Sequence, residues 1–208
     1  MRKTSLFFLL FIVITIIVVG CQDRQKEPEM GQERKDEIEA LEVDKDEIEN
    51  GKSLKVELVD QEGIQVGIAT LTEEADGVHI AVDAHHLPEG LHGFHVHEKG
   101  ICETPDFDSA GGHFNPDEKN HGFDDSKGPH AGDMMNLEVQ ADGTIEQLII
   151  NDRITLKKGK THSLFNQEGT SLIVHADPDD NVSQPAGNAG ERIVCGVIYK
   201  GENEESMR

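Results

Sequence analysis

The sequence predicts an all-β domain of about eight antiparallel strands, closed into a sandwich or barrel and interrupted by two long loops. Three observations predict it. From Ser53 onward, apolar side chains recur at every second position, the period of a half-buried strand. Turn-forming pairs such as Glu62-Gly63, Asp76-Gly77 and Asp142-Gly143 separate the runs. Two stretches rich in Gly, Asp, Asn and Pro, 99–133 and 177–191, are longer than ordinary connections, and loops of that length inside a compact domain are usually functional.

The elements follow in order. Leu54, Val56 and Leu58 alternate with Ser53, Lys55 and Glu57; Ile64, Val66 and Ile68 come next; Val78, Ile80, Val82 and Ala84 form the third run. Further strands are expected at 90–98, 136–140, 144–151, 170–176 and 192–200. No internal repeat stands out. Eight strands and two loops in roughly 150 residues match a single sandwich or barrel.

Upstream of this domain the chain reads differently. Arg2 and Lys3 precede an apolar run from Leu6 to Val19, 14 residues long. That is short for a bilayer span, which needs about 20, and fits the core of a signal peptide at 1–20. Gly20-Cys21 at its end resembles a bacterial lipobox, in which the cysteine is lipidated and becomes the new N-terminus. The expectation is export, with a lipid anchor at Cys21 on the outer face of the bacterial cytoplasmic membrane. Residues 22–52 carry 12 acidic and 6 basic side chains and no aromatic, the composition of a solvated tether. Fully extended, it would reach roughly 100 Å. Residues 202–208 form a polar tail.

Cys21, Cys102 and Cys195 are the three cysteines. If Cys21 is lipidated, the other two are left to pair in an oxidising compartment. Formal net charge is −22, with no basic run outside the signal segment. Nucleic acid is therefore a poor partner, since phosphate binding needs clustered Lys and Arg.

The chemistry lies in His95, His97, His113, His121, His130, Asp133 and His175. His95 and His97 sit two apart on an expected strand, so both imidazoles face the same side. A His-x-His pair alone means little. Here fifteen residues separate His97 from His113, seven then precede His121, eight precede His130 and two precede Asp133, all but the first pair in one irregular loop. Six histidines are too many for one tetrahedral site and suit two adjacent ones. Three imidazoles and a carboxylate suit closed, tetrahedral zinc; four imidazoles suit copper(II). Seven side chains must supply eight bonds, so one imidazole bridges. His113, between the His95/His97 pair and His121, is the natural bridge.

At these residues the chain resembles a known family. Leu91-His92-Gly93-Phe94-His95-Val96-His97-Glu98 is similar to the first signature of copper–zinc superoxide dismutases. Gly112-His113-Phe114-Asn115-Pro116 resembles their bridging-histidine motif, and the stretch from Gly187 to Gly196 resembles their C-terminal signature. The resemblance covers Ser53 to about Lys200. It implies a Greek-key barrel, a fold class in which sandwiches of this enzyme are grouped, and one copper and one zinc per chain. It assigns copper to His95, His97, His113 and His175, and zinc to His113, His121, His130 and Asp133. It further implies a Cys102–Cys195 disulfide and an Arg192 that guides and positions the anion, superoxide. His113 then also takes a catalytic proton, and Asp179 links His95 to His121, with Asp180 as the other candidate for that role.

Some positions depart from the family pattern. Ala186 stands where many relatives carry threonine, Val194 replaces a usually smaller residue, and the second loop is short and has no lysine. That loop therefore offers no lysine to guide an anion. His79, His85, His86, His92 and His162 read as structural or surface residues. A copper- and zinc-binding surface lipoprotein without turnover is the alternative function, and a sandwich face leaves monomer and homodimer both open.

Overall fold

A computed structural model describes residues 53–201. The expected signal peptide at 1–20, the expected lipidation site Cys21, the expected tether at 22–52 and the tail at 202–208 all lie outside the described residues.

Nine strands form: β1 (Leu54–Asp60), β2 (Gln65–Glu74), β3 (Gly77–Ala84), β4 (Gly90–His92), β5 (Phe94–His97), β6 (Leu137–Val139), β7 (Ile145–Asn151), β8 (Thr170–His175) and β9 (Arg192–Tyr199). A seven-stranded sheet runs β5-β8-β9-β1-β2-β3-β7, and a two-stranded sheet pairs β4 with β6. All pairings are antiparallel. β3 lies beside β7 although three strands intervene in the chain, the long return connection of a Greek key. The fold is a curled all-β barrel of the expected class.

In β1 and β3 the alternation seen in the sequence becomes burial; in the second run Val66 is buried but Ile64 and Ile68 are exposed, because Ala69 rather than Ile68 faces the core. Leu54, Val56 and Leu58 of β1 are buried while Lys55 and Glu57 are exposed. Val78, Ile80 and Val82 of β3 meet Leu71 and Ala69 of β2 and Ile149 of β7 in one core. Each fully buried aliphatic side chain contributes about 1.5–3 kcal/mol. β5 and β8 differ from the others, with every residue buried, because they pair with each other beneath the loops.

One expected strand, 90–98, forms as two. Gly93 leaves the sheet: its N–H donates to the Asp177 carbonyl, and its own carbonyl accepts from the His175 N–H. β4 therefore joins β6, and β5 joins β8. Eight expected strands become nine at this break, which also docks the second loop onto the His95 strand.

Candidate metal centre

Backbone hydrogen bonds explain how a long loop reaches the strand histidines. β5 pairs with β8 on one edge. Its other edge would be open, with unpaired N–H and C=O groups. The first loop closes it. Val96 N–H donates to the Gly132 carbonyl, Phe114 N–H to the Val96 carbonyl and Glu98 N–H to the Gly112 carbonyl. These bonds set His113 opposite His97 and Asp133 opposite His95. His175 arrives from the end of β8, just past a register shift at Val174, opposite Arg192.

Two clusters result, each with its ligand atoms within 4.8 Å of one another: His95, His97, His113 and His175, and His113, His121, His130 and Asp133. All seven side chains are buried. In the first cluster, His95 Nδ1, His97 Nε2, His113 Nε2 and His175 Nε2 are buried without a hydrogen-bond partner. Buried polar atoms are normally paired; four unpaired imidazole nitrogens converging on one point are a donor set shaped for a cation. The opposite nitrogens are engaged. His97 Nδ1 lies 3.0 Å from the Gly111 carbonyl and His175 Nδ1 lies 3.3 Å from the Gly190 carbonyl. A carbonyl only accepts, so both rings carry their proton on Nδ1 and present a bare Nε2.

In the second cluster Asp133 Oδ1 stands 2.8 Å from His113 Nδ1, 3.1 Å from His121 Nδ1 and 3.2 Å from His130 Nδ1. Two ligands about 2.0–2.1 Å from a tetrahedral zinc would lie roughly 3.3 Å apart, close to these separations. Asp133 Oδ2 accepts the Gly122 and His130 N–H groups at 2.9 Å each. His113 thus offers Nε2 to one cluster and Nδ1 to the other, which makes it the bridge. The donor sets fit copper and zinc respectively.

Burial and charge set the protonation. Burial pushes His113 down to about 4 and His175 down to about 3, the neighbouring imidazoles adding to it. Burial also lowers His95 and His97. These rings are neutral at pH 7, as ligands must be. Burial alone would raise Asp133, but hydrogen bonds from His113, His121 and His130 hold it far below the usual range. Burial would likewise lower His121, yet Asp133 and Asp179 outweigh it and raise the ring to about 9. Without metal, one proton rests on His121.

The family model for copper/zinc superoxide dismutase (SODC) matches residues 65–198. The chain belongs to the copper/zinc superoxide dismutase family. Copper–zinc superoxide dismutase 1 of Aquifex aeolicus (strain VF5) is 48% identical over 143 residues, 68% of this chain and 85% of the relative. The superoxide dismutase-like protein YojM of Bacillus subtilis (strain 168) is 40% identical over 199 residues, 95% of this chain and 97% of the relative. Among solved structures, copper/zinc superoxide dismutase from Brucella abortus is 29% identical, covers 71% of this chain and 99% of that one, and superposes with a TM-score of 0.59. Members of this family use copper and zinc, and the two clusters are able to hold them.

Around the superoxide dismutase-type centre, Asp179 joins the halves. Its Oδ2 lies 2.6 Å from His95 Nε2 and its Oδ1 3.0 Å from His121 Nε2. Burial would raise this carboxyl, but the two imidazoles hold it low. Asp180 does other work: its carboxylate accepts the Val182 and Ser183 N–H groups of a turn. Gly187 packs against Asp179 and His121 at φ +67, where a Cβ would collide with both.

Arg192 donates through Nη1 to the Phe107 carbonyl at 2.6 Å and through Nη2 to the Gly111 carbonyl at 2.7 Å. Its charge is felt at His97 and His175, where it helps lower both rings. Cys102 and Cys195 form a disulfide with Cα atoms 5.8 Å apart. With Phe107, Ala110 and Ile173 they make a small core of their own, which fixes the carbonyls that hold Arg192 and His97.

Four further residues serve the centre; only His92 lies within a motif, and there it read as structural or surface. Asn136 brackets Asp179, accepting its N–H and donating to its carbonyl. Gln184 does the same for His121. His92 is buried, with Nδ1 2.9 Å from the His175 carbonyl. Arg153 reaches the Asp133 carbonyl. Each acts through a contact distant in sequence, so no local spacing could have found them.

Proposed function

We propose that the chain dismutates superoxide, turning two superoxide ions and two protons into oxygen and hydrogen peroxide, and that it does so outside the cell on a lipid anchor at Cys21. The observation that carries this reading is the convergence of four unpaired, buried imidazole nitrogens from His95, His97, His113 and His175. When bound, copper supplies one-electron redox capacity, and zinc, which has none, supplies fixed charge.

The residues divide the remaining work. Arg192, held by two carbonyls, places a cation beside His97 and His175, where it draws in and orients the anion. The chain's charge of −22 repels superoxide at long range, so this local cation does most of the guiding. His113 Nε2 faces the copper-type cluster while Nδ1 stays in the zinc-type one. Nε2 is therefore the atom that takes a proton and delivers it to the reduced substrate. Asp179, bonded to His95 and His121, keeps both rings in register.

The rival reading is a metal-binding surface lipoprotein without turnover. It draws on YojM, named only as superoxide dismutase-like. A solved Bacillus subtilis superoxide dismutase-like protein, 45% identical with a TM-score of 0.68, is a double mutant in which a tyrosine and a proline sixteen positions apart became histidine; it covers 69% of this chain and 95% of that one. His97 and His113 are separated by the same interval here, and both are already histidine. That favours turnover in this chain.

Metal analysis with a superoxide-removal assay on the full chain tests the reading. One copper, one zinc and fast removal are expected. His175→Ala should bring removal to background and spare zinc. Wild-type protein that binds both metals yet removes no superoxide would establish the rival, and an active His175→Ala would show that copper sits elsewhere.

A further inference from the structure

Behind the zinc-type cluster a single arginine touches both arms of the loop that builds it. Arg153 follows β7, two residues past Asn151. Its Nη2 donates to the backbone carbonyl of Asp133 at 2.9 Å. Its guanidinium carbon lies 5.1 Å from the centroid of the Phe123 ring, within cation–π range. Phe123 is two residues past His121, on one arm; Asp133 is three past His130, on the other.

The contacts close a circuit. Phe123 adjoins Gly122, whose N–H donates to Asp133 Oδ2. Holding Phe123 therefore holds the donor that orients the Asp133 carboxylate, while the Nη2 bond fixes the Asp133 peptide. Asn151 supports the same arm: its Nδ2 donates to the Ala131 carbonyl, and its Oδ1 accepts the Arg153 N–H, each at 2.9 Å. Arg153 Nη1 meets Asp152 at 3.0 Å. Arg153 Nε is buried without a partner, the one such atom among the described residues that is not in the copper-type cluster. An arginine in an ordinary surface pose would turn that N–H to water. This one stays inward, held by the carbonyl and the ring.

We propose that Arg153 is a positioning residue for zinc, setting the His121 and His130–Asp133 arms at ligand spacing before the ion arrives. The proposal rests on the zinc assignment of that cluster. It needs the planar fork of arginine, which can stack on Phe123 and donate sideways to a carbonyl at once; the point charge of lysine cannot do both.

Cobalt(II), a spectroscopic stand-in for zinc, and chelator competition with zinc itself supply the test on the disulfide-intact full chain. Wild-type protein is measured first: failure to hold cobalt or zinc tightly would sink the zinc assignment, and Arg153 with it. Given wild-type binding, Arg153→Gln should weaken zinc roughly 10–100-fold, the usual effect of losing a group that orients a ligand. It should also shift the cobalt visible bands and leave the copper(II) spectrum unchanged. Arg153→Lys should fail to restore the bands, and Phe123→Leu should shift them in the same direction by less. Unchanged bands and zinc affinity in Arg153→Gln, or full rescue by lysine, would overturn the proposal. So would a lowered melting temperature with wild-type bands, which marks a purely structural residue. Should Arg153→Gln not fold, Phe123→Leu decides alone, with unchanged bands counting against the circuit.

Discussion

The two halves of the metal centre are built by different means. His95 and His97 project from β5 and His175 from the end of β8, with backbones fixed by the sheet. His121, His130 and Asp133 hang from a loop that holds no regular strand and borrows its order from β5, the disulfide, Asp179 and Arg153. His113 belongs to both. Strand ligands are positioned once the barrel folds; loop ligands depend on a few backbone bonds to β5, on side-chain contacts and, on binding, on the metal itself. The strand half should therefore tolerate local damage better than the loop half.

The largest effect is expected from the disulfide. Cys102 lies in the loop and Cys195 on β9, 93 positions apart. Removing such a bridge typically costs about 2–5 kcal/mol, or ~4–20 °C in melting temperature for a domain of this size. Cys195→Ser should show that drop by calorimetry and should lose zinc to a chelator before copper. Parallel loss of both metals would break the distinction between the halves.

Asp179 is where the halves meet, and Asp179→Asn sharpens the comparison. Asparagine keeps the shape but loses the charge and one acceptor, so it cannot face both His95 Nε2 and His121 Nε2 as an acceptor. Zinc affinity should fall about 10–100-fold. The copper(II) spectrum should move only slightly, because β5 still carries His95. A copper site disturbed as much as the zinc site would mean that the strand gives His95 no independent support.

How far each half was legible in the sequence follows the same division. The His95-x-His97 pair and the β1 and β3 alternation were readable because strand geometry repeats every two residues. The loop ligands were readable as a spaced set of residue types, although nothing local said how the loop would fold. The break at Gly93 was not readable, since it depends on bonds to Asp177 and His175 more than eighty positions away. The choice of Asp179 over Asp180 came only from the family resemblance: both are turn aspartates, and the register of the second loop is what puts Asp179 against the imidazoles. Asn136, Gln184 and Arg153 were hidden, like the break at Gly93, because their contacts are distant in sequence.

The smallest expected effect belongs to the frame, away from both halves. Glu73 on β2 accepts the Leu156 N–H at 2.7 Å and the Thr155 hydroxyl at 3.0 Å, and it pairs with Lys157 at 3.0 Å. Burial pushes this carboxyl up, but those partners outweigh it and leave it below its ordinary value of 4.5. A carboxyl lowered by folding stabilises the fold above its unfolded value and ceases to do so as pH falls through the lowered one. Glu73→Gln should thus cost about 0.5–1 kcal/mol near neutral pH, with the gap to wild type closing as pH drops below 4.5. Comparing the two metal-free, disulfide-intact proteins by thermal melts from pH 7 to 3.5 reads this directly, because protonation of the ligand histidines is common to both and cancels. A gap that stays constant or widens toward acid would show that the Glu73 charge does not anchor the segment after β7. Both variants should hold zinc and copper equally at pH 7. If Glu73→Gln also loosened zinc, the loop half would depend on the frame as well as on the contacts that surround it.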